Sequence, residues 1–172
     1  MGALEQLWAG WRSAYFADLI TERAKADESI DYDRSLFERL LALPDDESNV
    51  VFRGDTCSVL LNAYPYTNGH MLIMPNRAVR ELDDMTPEET SELWSLVRDG
   101  VNTLRTVYRC DGVNVGLNLG EAAGAGLPDH LHVHVLPRWK GDTNFIVATA
   151  NTQVMPESLS ASWQKLRDAW PG

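Results

Sequence analysis

The amino-acid sequence predicts one α+β domain in which an antiparallel sheet of about five strands carries flanking helices on one side. Apolar segments of strand length follow one another across short turns, which is typical of antiparallel pairing. These segments outnumber the helical ones, and the sequence lacks the regular alternation of strand and helix that marks a parallel sheet. The length of 172 residues suits a single domain with one core.

The N-terminal part of the chain predicts helices. Apolar residues recur at helical spacing over Leu4–Arg23. Further along, Asp33 is placed to cap a short helix that runs through Leu40 and ends before Pro44. We therefore expect a helical extension over residues 1–45, followed by the core of the domain over residues 49–148.

Five segments are predicted as strands, because apolar residues fill them and turn residues bound them. The turn Tyr64–Gly69 separates the second from the third, and Pro75 ends the third. In the fourth, Val113, Val115 and Leu117 would share one face. The five are Asn49–Arg53, Cys57–Ala63, His70–Met74, Val113–Leu119 and His130–Pro137, and Phe145–Ala148 is a candidate sixth strand at an edge.

The clearest helix begins at Thr86. Thr86 and Glu89 form a capping box, and Pro87 occupies the first helical position. A stripe of apolar residues then continues at 3.6-residue spacing to Tyr108. The stripe predicts packing on the core, although Trp94 is large for a surface and a share in a subunit interface is the alternative. A second helix is predicted at the C-terminal end, over residues 156–170.

Composition restricts the possible functions. The net charge of −10 argues against nonspecific binding to nucleic acid, yet it permits a small anion held in a local pocket. No apolar run approaches the ~20 residues that a membrane span needs, and the first residues lack the pattern of a signal peptide. Cys57 and Cys110 form no metal or redox spacing, so we expect a cytoplasmic protein.

Three of the four histidines stand at alternating positions, His130, His132 and His134. On one strand they would share a face at intervals of roughly 6.5–7 Å. Three interpretations are open: half-buried polar residues without a joint task, ligands of zinc, or a row that carries nucleophilic attack at phosphorus. The glycine-rich loop Gly120–Gly126 lies just upstream. Its backbone N–H groups could approach an anion closely, which favours chemistry at phosphorus.

The segment His130–Leu136 resembles the signature of the histidine triad (HIT) family of nucleotide hydrolases and transferases, in which three histidines alternate with apolar residues. The similarity runs from Cys57 to Arg138 and includes Leu61-Asn62, Asn68–Pro75, Asn118 and Ala123-Gly124. Within the family, the sequence is most similar to bacterial diadenosine tetraphosphate phosphorylases and hydrolases. The resemblance therefore implies a HIT-like fold.

The resemblance also implies roles for the histidines. His132 Nε2 would attack the α-phosphorus and form a nucleotidyl-histidine, which water or inorganic phosphate then resolves. The other ring nitrogen of His132 would be held by the backbone carbonyl of His130. His134 would donate to the phosphate or the bridging oxygen and so help the leaving group. His130 and His70 would orient and buffer the row, and a purely structural role is the alternative for His70.

Substrate-binding residues follow from the same resemblance. Asn62 would bind ribose hydroxyls, or else serve only as a turn residue at a strand end. Arg138 would screen phosphate charge or simply lie on the surface. Trp139 would shape the pocket of the second nucleoside or simply pack. The residues expected to bind phosphate oxygens are Asn118, Gly124, Ala125 and Gly126.

The implied activity is phosphorolysis or hydrolysis of dinucleoside polyphosphates. Ala125 and Gly126 stand where many members have a polar pair, and these small residues lead us to hypothesise that inorganic phosphate enters as the acceptor. The alternatives are hydrolysis of adenosine phosphoramidates or phosphosulfate, and a regulatory nucleotide-binding protein without turnover.

The resemblance further implies a homodimer, with the sheets continuing across the interface near the helix that begins at Thr86. Histidine attack needs no metal ion. The stretch Ala24–Ile30 also lacks the Cys-x-x-Cys pair that holds zinc in some members. We therefore expect no cofactor.

Overall fold

The computed structural model describes residues 33–143 and 154–171, and every element lies in one compact unit, Arg34–Gly172. The helices are α1 (Leu36–Leu41), α2 (Asp45–Ser48), α3 (Pro87–Tyr108) and α4 (Leu159–Ala169). The strands are β1 (Val50–Arg53), β2 (Cys57–Leu61), β3 (Met71–Pro75), β4 (Gly112–Leu117) and β5 (Val133–Arg138). Short 3₁₀ turns occupy Leu82–Asp84 and Glu121–Ala123.

The strands form one sheet in the order β1-β2-β3-β5-β4, and every neighbouring pair is antiparallel. This confirms the predicted α+β class and the count of about five strands. The predicted helix over Leu4–Arg23 and the predicted strand Phe145–Ala148 lie outside the described residues. Within the described ranges, no helix combines the length and apolar character that crossing a membrane requires.

Alternation along the strands gives the sheet two different faces. Val59 and Ile73 belong to a core that also contains Leu93 of α3 and Leu166 of α4. Their strand neighbours turn the other way: Leu60 and Leu72 pack with Phe37 of α1 in a second cluster. Helices therefore cover both faces, whereas the sequence had indicated helices on one side only.

Helix α3 is the element that the sequence predicted best. The Thr86 side chain accepts the Glu89 N–H, and the Glu89 side chain accepts the Thr86 N–H, so the predicted capping box is present. The helix then presents an apolar stripe to the sheet. It ends at Tyr108, and the C-cap residue Arg109 has a left-handed φ of 46°.

The cap of α1 was predicted wrongly. The N-cap is Ser35, not Asp33, and a capping box joins Ser35 to Glu38. The box is preferred because it satisfies two otherwise unpaired N–H groups at once. The helix still ends before Pro44, as expected.

The strand that carries the alternating histidines begins later than predicted. Strand β5 begins at Val133, so His130 and His132 lie in the segment that leads into it. This segment is fixed by the Leu131 N–H, which donates to the Val79 carbonyl at 2.6 Å. On β4, Val113 and Leu117 pack against the core but Val115 is 43% exposed, because β4 is an edge strand of the described sheet.

The turn before β3 requires a glycine. Gly69 has a φ of +79°, and a Cβ there would lie 2.5 Å from Cε2 of Tyr108. Since His70 follows Gly69 directly, the close approach of Gly69 to α3 fixes the position of the His70 backbone.

Candidate active site

The four histidines come together on the α1 face of the sheet. His134 lies on β5 and pairs with Leu72 of β3, so its side chain shares the face of Leu72. The ring centroids of His132 and His134 are 5.0 Å apart, and those of His70 and His134 are 5.1 Å apart. His70 and His130 are fully buried, and His132 is 8% exposed.

His132 has its ring orientation fixed from within the row. Its Nδ1 lies 2.8 Å from the backbone carbonyl of His130, the contact expected from the sequence. A carbonyl only accepts, so Nδ1 carries the proton and Nε2 keeps its lone pair. Burial lowers the pKa of His132, and the hydrogen bond to the carbonyl opposes that shift. The ring is therefore neutral at neutral pH, with a free base at Nε2.

Hydrogen bonds also determine the tautomers of His70 and His134. The Tyr66 N–H donates to His70 Nδ1 at 3.1 Å, so His70 Nε2 carries the proton. That Nε2 lies 2.9 Å from His134 Nδ1 and donates to it. A neutral His134 must then hold its own proton on Nε2. Burial, followed by the neighbouring His134 and His132 rings, lowers the pKa of His70 to about 3.

Aromatic and amide side chains hold these two histidines in place. The Tyr66 ring stacks on His134 with centroids 5.9 Å apart. Asn62 Nδ2 lies 3.3 Å from His70 Nδ1, and Asn62 Oδ1 accepts the Tyr64 N–H at 3.0 Å. Asn62 thus contacts His70 and also closes a turn, which matches its interpretation as a turn residue, while ribose binding stays a prediction.

His130 has both ring nitrogens engaged. Nε2 lies 2.8 Å from the Pro75 carbonyl, and Nδ1 lies 2.6 Å from the Ser35 hydroxyl. The Phe37 ring stands edge-on to His130 at 5.3 Å and to His132 at 5.1 Å. His130 is therefore a buried support of the row, with no ring nitrogen available to a ligand.

The glycine-rich loop is ordered by its own hydrogen bonds. The Gly124 N–H donates to the Glu121 carbonyl at 2.9 Å, and the Ala125 N–H donates to the Gly120 carbonyl at 3.3 Å. Asn118 Nδ2 donates to the Gly124 carbonyl at 3.4 Å. Phosphate binding by the amides of Gly124 and Ala125 thus requires the loop to release these bonds. Among the described residues, the Gly126 N–H donates to no carbonyl of the loop.

Arg138 and Trp139 are not brought to the imidazoles. Arg138 is four residues beyond His134 on β5, roughly 13 Å along the strand by its rise per residue. Its guanidinium donates to Asp142 at 2.6 and 2.8 Å and to Asn114 at 3.0 Å. Trp139 stands edge-on to Tyr108 at 6.2 Å. For both residues, these contacts match the surface and packing alternatives.

The described histidines do not form a metal site. No three histidine, cysteine, aspartate or glutamate side chains converge as a metal-binding group within residues 33–143 and 154–171. With both nitrogens of His130 engaged, the three alternating imidazoles cannot chelate one zinc ion together.

Three contributors to the site were missed in the sequence. Ser35 was available as the first residue of a Ser-x-x-Glu capping box, but Asp33 was predicted instead. Phe37 read only as an apolar helix residue. Tyr66 acts on His70 through its backbone N–H, which leaves no trace in side-chain chemistry.

Known proteins match this chain in sequence, one of them over 97% of its length. The HIT domain family profile matches residues 44–141. The chain is similar to the AP-4-A phosphorylase of Mycobacterium tuberculosis, with 39% identity over 167 residues that cover 97% of this chain and 85% of that protein. It is also similar to the asymmetrical bis(5'-nucleosyl)-tetraphosphatase of Schizosaccharomyces pombe, with 37% identity over 95 residues, or 55% of this chain and 52% of that protein.

Solved structures share the fold. A zinc-bound histidine triad family protein from Mycobacterium smegmatis superimposes with a TM-score of 0.64 at 24% identity, covering 78% of this chain and 91% of the other. The NitFhit protein of Caenorhabditis elegans gives a TM-score of 0.60 at 26% identity, covering 74% of this chain and 28% of the other.

Proposed function

Because the chain belongs to the HIT domain family, we propose that it is an enzyme that cleaves a phosphoanhydride bond of a dinucleoside polyphosphate through a nucleotidyl-histidine on His132. The single observation that carries this proposal is the tautomer of His132. Its Nδ1–H is tied to the His130 carbonyl at 2.8 Å, which leaves the Nε2 lone pair for attack at phosphorus.

In the first step, His132 Nε2 forms a bond to the α-phosphorus and the bond from that phosphorus to the bridging oxygen breaks. His134 Nε2–H gives its proton to the departing polyphosphate oxygen. The hydrogen bond from His70 Nε2–H to His134 Nδ1 is what supports this assignment, because it leaves the His134 proton on Nε2. For diadenosine tetraphosphate the leaving group is ATP.

In the second step, an acceptor oxygen attacks the same phosphorus, and the bond between phosphorus and Nε2 breaks. His134, which is now unprotonated at Nε2, takes the proton of the acceptor. Water as the acceptor releases AMP, and inorganic phosphate releases ADP. We propose phosphate, supported by the similarity to a phosphorylase and by the small residues Ala125 and Gly126, which precede the histidines in the sequence.

Product analysis tests the acceptor. Diadenosine tetraphosphate is incubated with the full chain with and without inorganic phosphate, and the nucleotides are separated by chromatography. We expect ADP and ATP in equal amounts when phosphate is present. AMP and ATP alone, unaffected by phosphate, would leave water as the acceptor and overturn that part of the proposal.

The nucleophile is tested with His132→Asn. Asn retains a side-chain amide of similar reach, so we expect nucleotide binding to persist while turnover falls by at least about a thousandfold, as when a catalytic nucleophile is removed. Mass spectrometry after an acid-avoiding quench should find the nucleotide adduct on the unsubstituted chain only. Binding without turnover in the unsubstituted chain would instead indicate a regulatory nucleotide-binding protein.

We also propose that the chain forms a homodimer through the surface of α3 and β4. Three large apolar side chains on or next to these elements are exposed: Trp94 on α3 is 47% exposed, Val115 on β4 43%, and Leu119, two residues past β4, 38%. Sedimentation velocity should give a dimer that Val115→Glu converts to monomer, because the substitution places a charge on the edge strand. A monomeric unsubstituted chain would overturn this proposal.

We further propose a cytoplasmic location. The free thiols of Cys57 and Cys110 support it, since unpaired cysteines suit a reducing compartment. Cell fractionation followed by immunoblotting measures it, and recovery of the protein outside the cytoplasmic fraction would contradict it.

A further inference from the structure

The start of helix α1 is in direct contact with the first histidine of the row. Ser35 Oγ lies 2.6 Å from His130 Nδ1, and His130 Nε2 lies 2.8 Å from the Pro75 carbonyl. The carbonyl can only accept, so Nε2 carries the proton. A neutral imidazole has a single N–H, and therefore Nδ1 must accept. The Ser35 hydroxyl is the donor.

The other hydrogen bonds of Ser35 do not use its hydroxyl proton. Its oxygen accepts the Glu38 N–H at 3.2 Å, and the Glu38 carboxylate accepts the Ser35 N–H at 2.9 Å, which completes the capping box of α1. The same carboxylate accepts the Ala78 N–H at 3.1 Å. The cap thus joins the helix, the loop after β3 and the His130 ring.

The position of His130 in turn fixes the ring of His132. Its carbonyl accepts His132 Nδ1–H at 2.8 Å, and the Phe37 ring packs edge-on against both imidazoles. Building on the proposed function, we propose that Ser35 is a positioning residue: its hydroxyl fixes the tautomer and ring position of His130 and, through the His130 carbonyl, holds His132 with Nε2 unprotonated.

Loss of the donor would leave a buried acceptor unpaired. His130 is 1% exposed, so water cannot replace the hydroxyl without a rearrangement. The ring would then change its tautomer or rotate, and the carbonyl that orients His132 would shift with it. The charged and titratable groups that act on the pKa of His130 are the Glu38 carboxylate and the His132 ring, in addition to its burial and its bond to Pro75.

A matched pair of variants separates this role from simple capping. Ser35→Asn and Ser35→Asp both supply good N-caps of similar size. Only the Asn amide can donate to His130 Nδ1, whereas the Asp carboxylate favours a protonated ring. We expect kcat to fall about tenfold in Ser35→Asp, the worth of one hydrogen bond to a buried group, with KM little changed. Ser35→Asn and Ser35→Thr should stay near the unsubstituted kcat.

The pH dependence gives a readout that loss of helix stability would not move. In Ser35→Asp the acid limb of kcat should shift to higher pH, because His130 takes up a proton beside the nucleophile. Thr86→Ala is the control, since Thr86 is the cap of the same kind of capping box on α3 and hydrogen-bonds to Glu89 and Thr90 rather than to a histidine. It should lower the melting temperature and leave kcat and its pH profile unchanged.

Nitrogen-15 NMR of the histidine rings tests the inference without turnover. We expect His130 to be protonated at Nε2 and His132 at Nδ1 in the unsubstituted chain, and both signals to move in Ser35→Asp and Ser35→Ala. Unchanged ring signals, or an unchanged kcat and pH profile in Ser35→Asp, would overturn the role of Ser35. A chain that turns over no dinucleoside polyphosphate contradicts the proposed function instead, and the ring signals still decide this inference.

Discussion

At the scale of single residues, His132 depends on the difference between its two ring nitrogens. Nδ1 is bonded to a carbonyl 2.8 Å away, and Nε2 is the base. A histidine in water is half protonated at about pH 6.5. Burial lowers the pKa of His132 below that ordinary value, and the bond to the His130 carbonyl only partly offsets the effect. The proposed nucleophile, Nε2 of His132, therefore keeps its lone pair down to a lower pH than a histidine in water does.

We expect the acid limb of kcat/KM to have its midpoint below about pH 6.5, the ordinary value for histidine. The sign follows from the required form: Nε2 must be free of its proton, and a lowered pKa keeps it free down to a lower pH. Initial rates at low substrate concentration across a pH series measure the midpoint. A midpoint at or above the ordinary histidine value would contradict the burial argument.

The sequence was sufficient for the histidines and insufficient for their supports. Alternation placed His130, His132 and His134 on one face, and the bond from His132 to the His130 carbonyl is the one that the family resemblance implied. Ser35 could not be assigned to His130, because the contact joins residues 95 positions apart. Tyr66 donates through its backbone, and backbone donors are the same for every residue type except proline.

At the scale of elements, the turn before β3 determines the position of His70 relative to His134. Gly69 combines a positive φ with a close approach to the Tyr108 ring. Gly141 has a similar φ of +77°, but a Cβ added there would meet no heavy atom of the described residues within 4 Å. A substitution at Gly141 therefore tests the cost of the backbone conformation alone, whereas one at Gly69 adds a steric conflict.

We expect Gly141→Ala to lower the free energy of unfolding by roughly 1–2 kcal/mol, the cost of a left-handed backbone for a residue with a side chain. Gly69→Ala should cost clearly more, because its Cβ would lie 2.5 Å from Tyr108. It should also lower kcat by displacing His70. Urea denaturation of the two variants measures the difference, and equal losses would show that the Tyr108 ring yields without cost.

Element types could be predicted, but some of their ends could not. The capping box and apolar stripe of α3 are local signals, and the helix follows them. Strand β5 begins later than its apolar alternation indicates, because the Leu131 N–H pairs with the Val79 carbonyl in a loop. That partner comes from a distant part of the chain, which local patterns do not encode.

At the scale of the whole molecule, the strand order was beyond the sequence argument. Antiparallel pairing of β1, β2 and β3 follows from short turns. The placement of β5 between β3 and β4 depends on pairing over long sequence separations. This placement brings His134 next to His70, so the site is a product of the topology.

Buried neutral histidines make stability depend on pH. The unfolded chain takes up protons on these residues below about pH 6.5, whereas His70 in the folded state stays neutral to about 3. The free energy of unfolding is therefore not reduced by these histidines above the pKa that they have in the unfolded chain. It decreases as the pH falls below that value. Each such histidine contributes a slope of at most about 1.4 kcal/mol per pH unit. The directions for His130 and His132 are the same.

We expect urea denaturation to give a lower free energy of unfolding at about pH 5 than at pH 7, a window above the ordinary carboxylate pKa values. His70→Gln should reduce this difference, because it removes one group that the unfolded chain protonates. A free energy that is constant across the window would contradict the neutral state of the buried rings.

The neutral imidazoles of His70, His130 and His132 do not offset the formal charge of −10 on the protein. A polyphosphate substrate therefore meets repulsion on approach, the reverse of the attraction that speeds many enzymes towards the diffusion limit. Added salt shortens the range of this repulsion. The second-order rate constant for substrate capture should consequently rise with ionic strength in stopped-flow measurements, and a fall would reveal a local positive field that outweighs the overall charge.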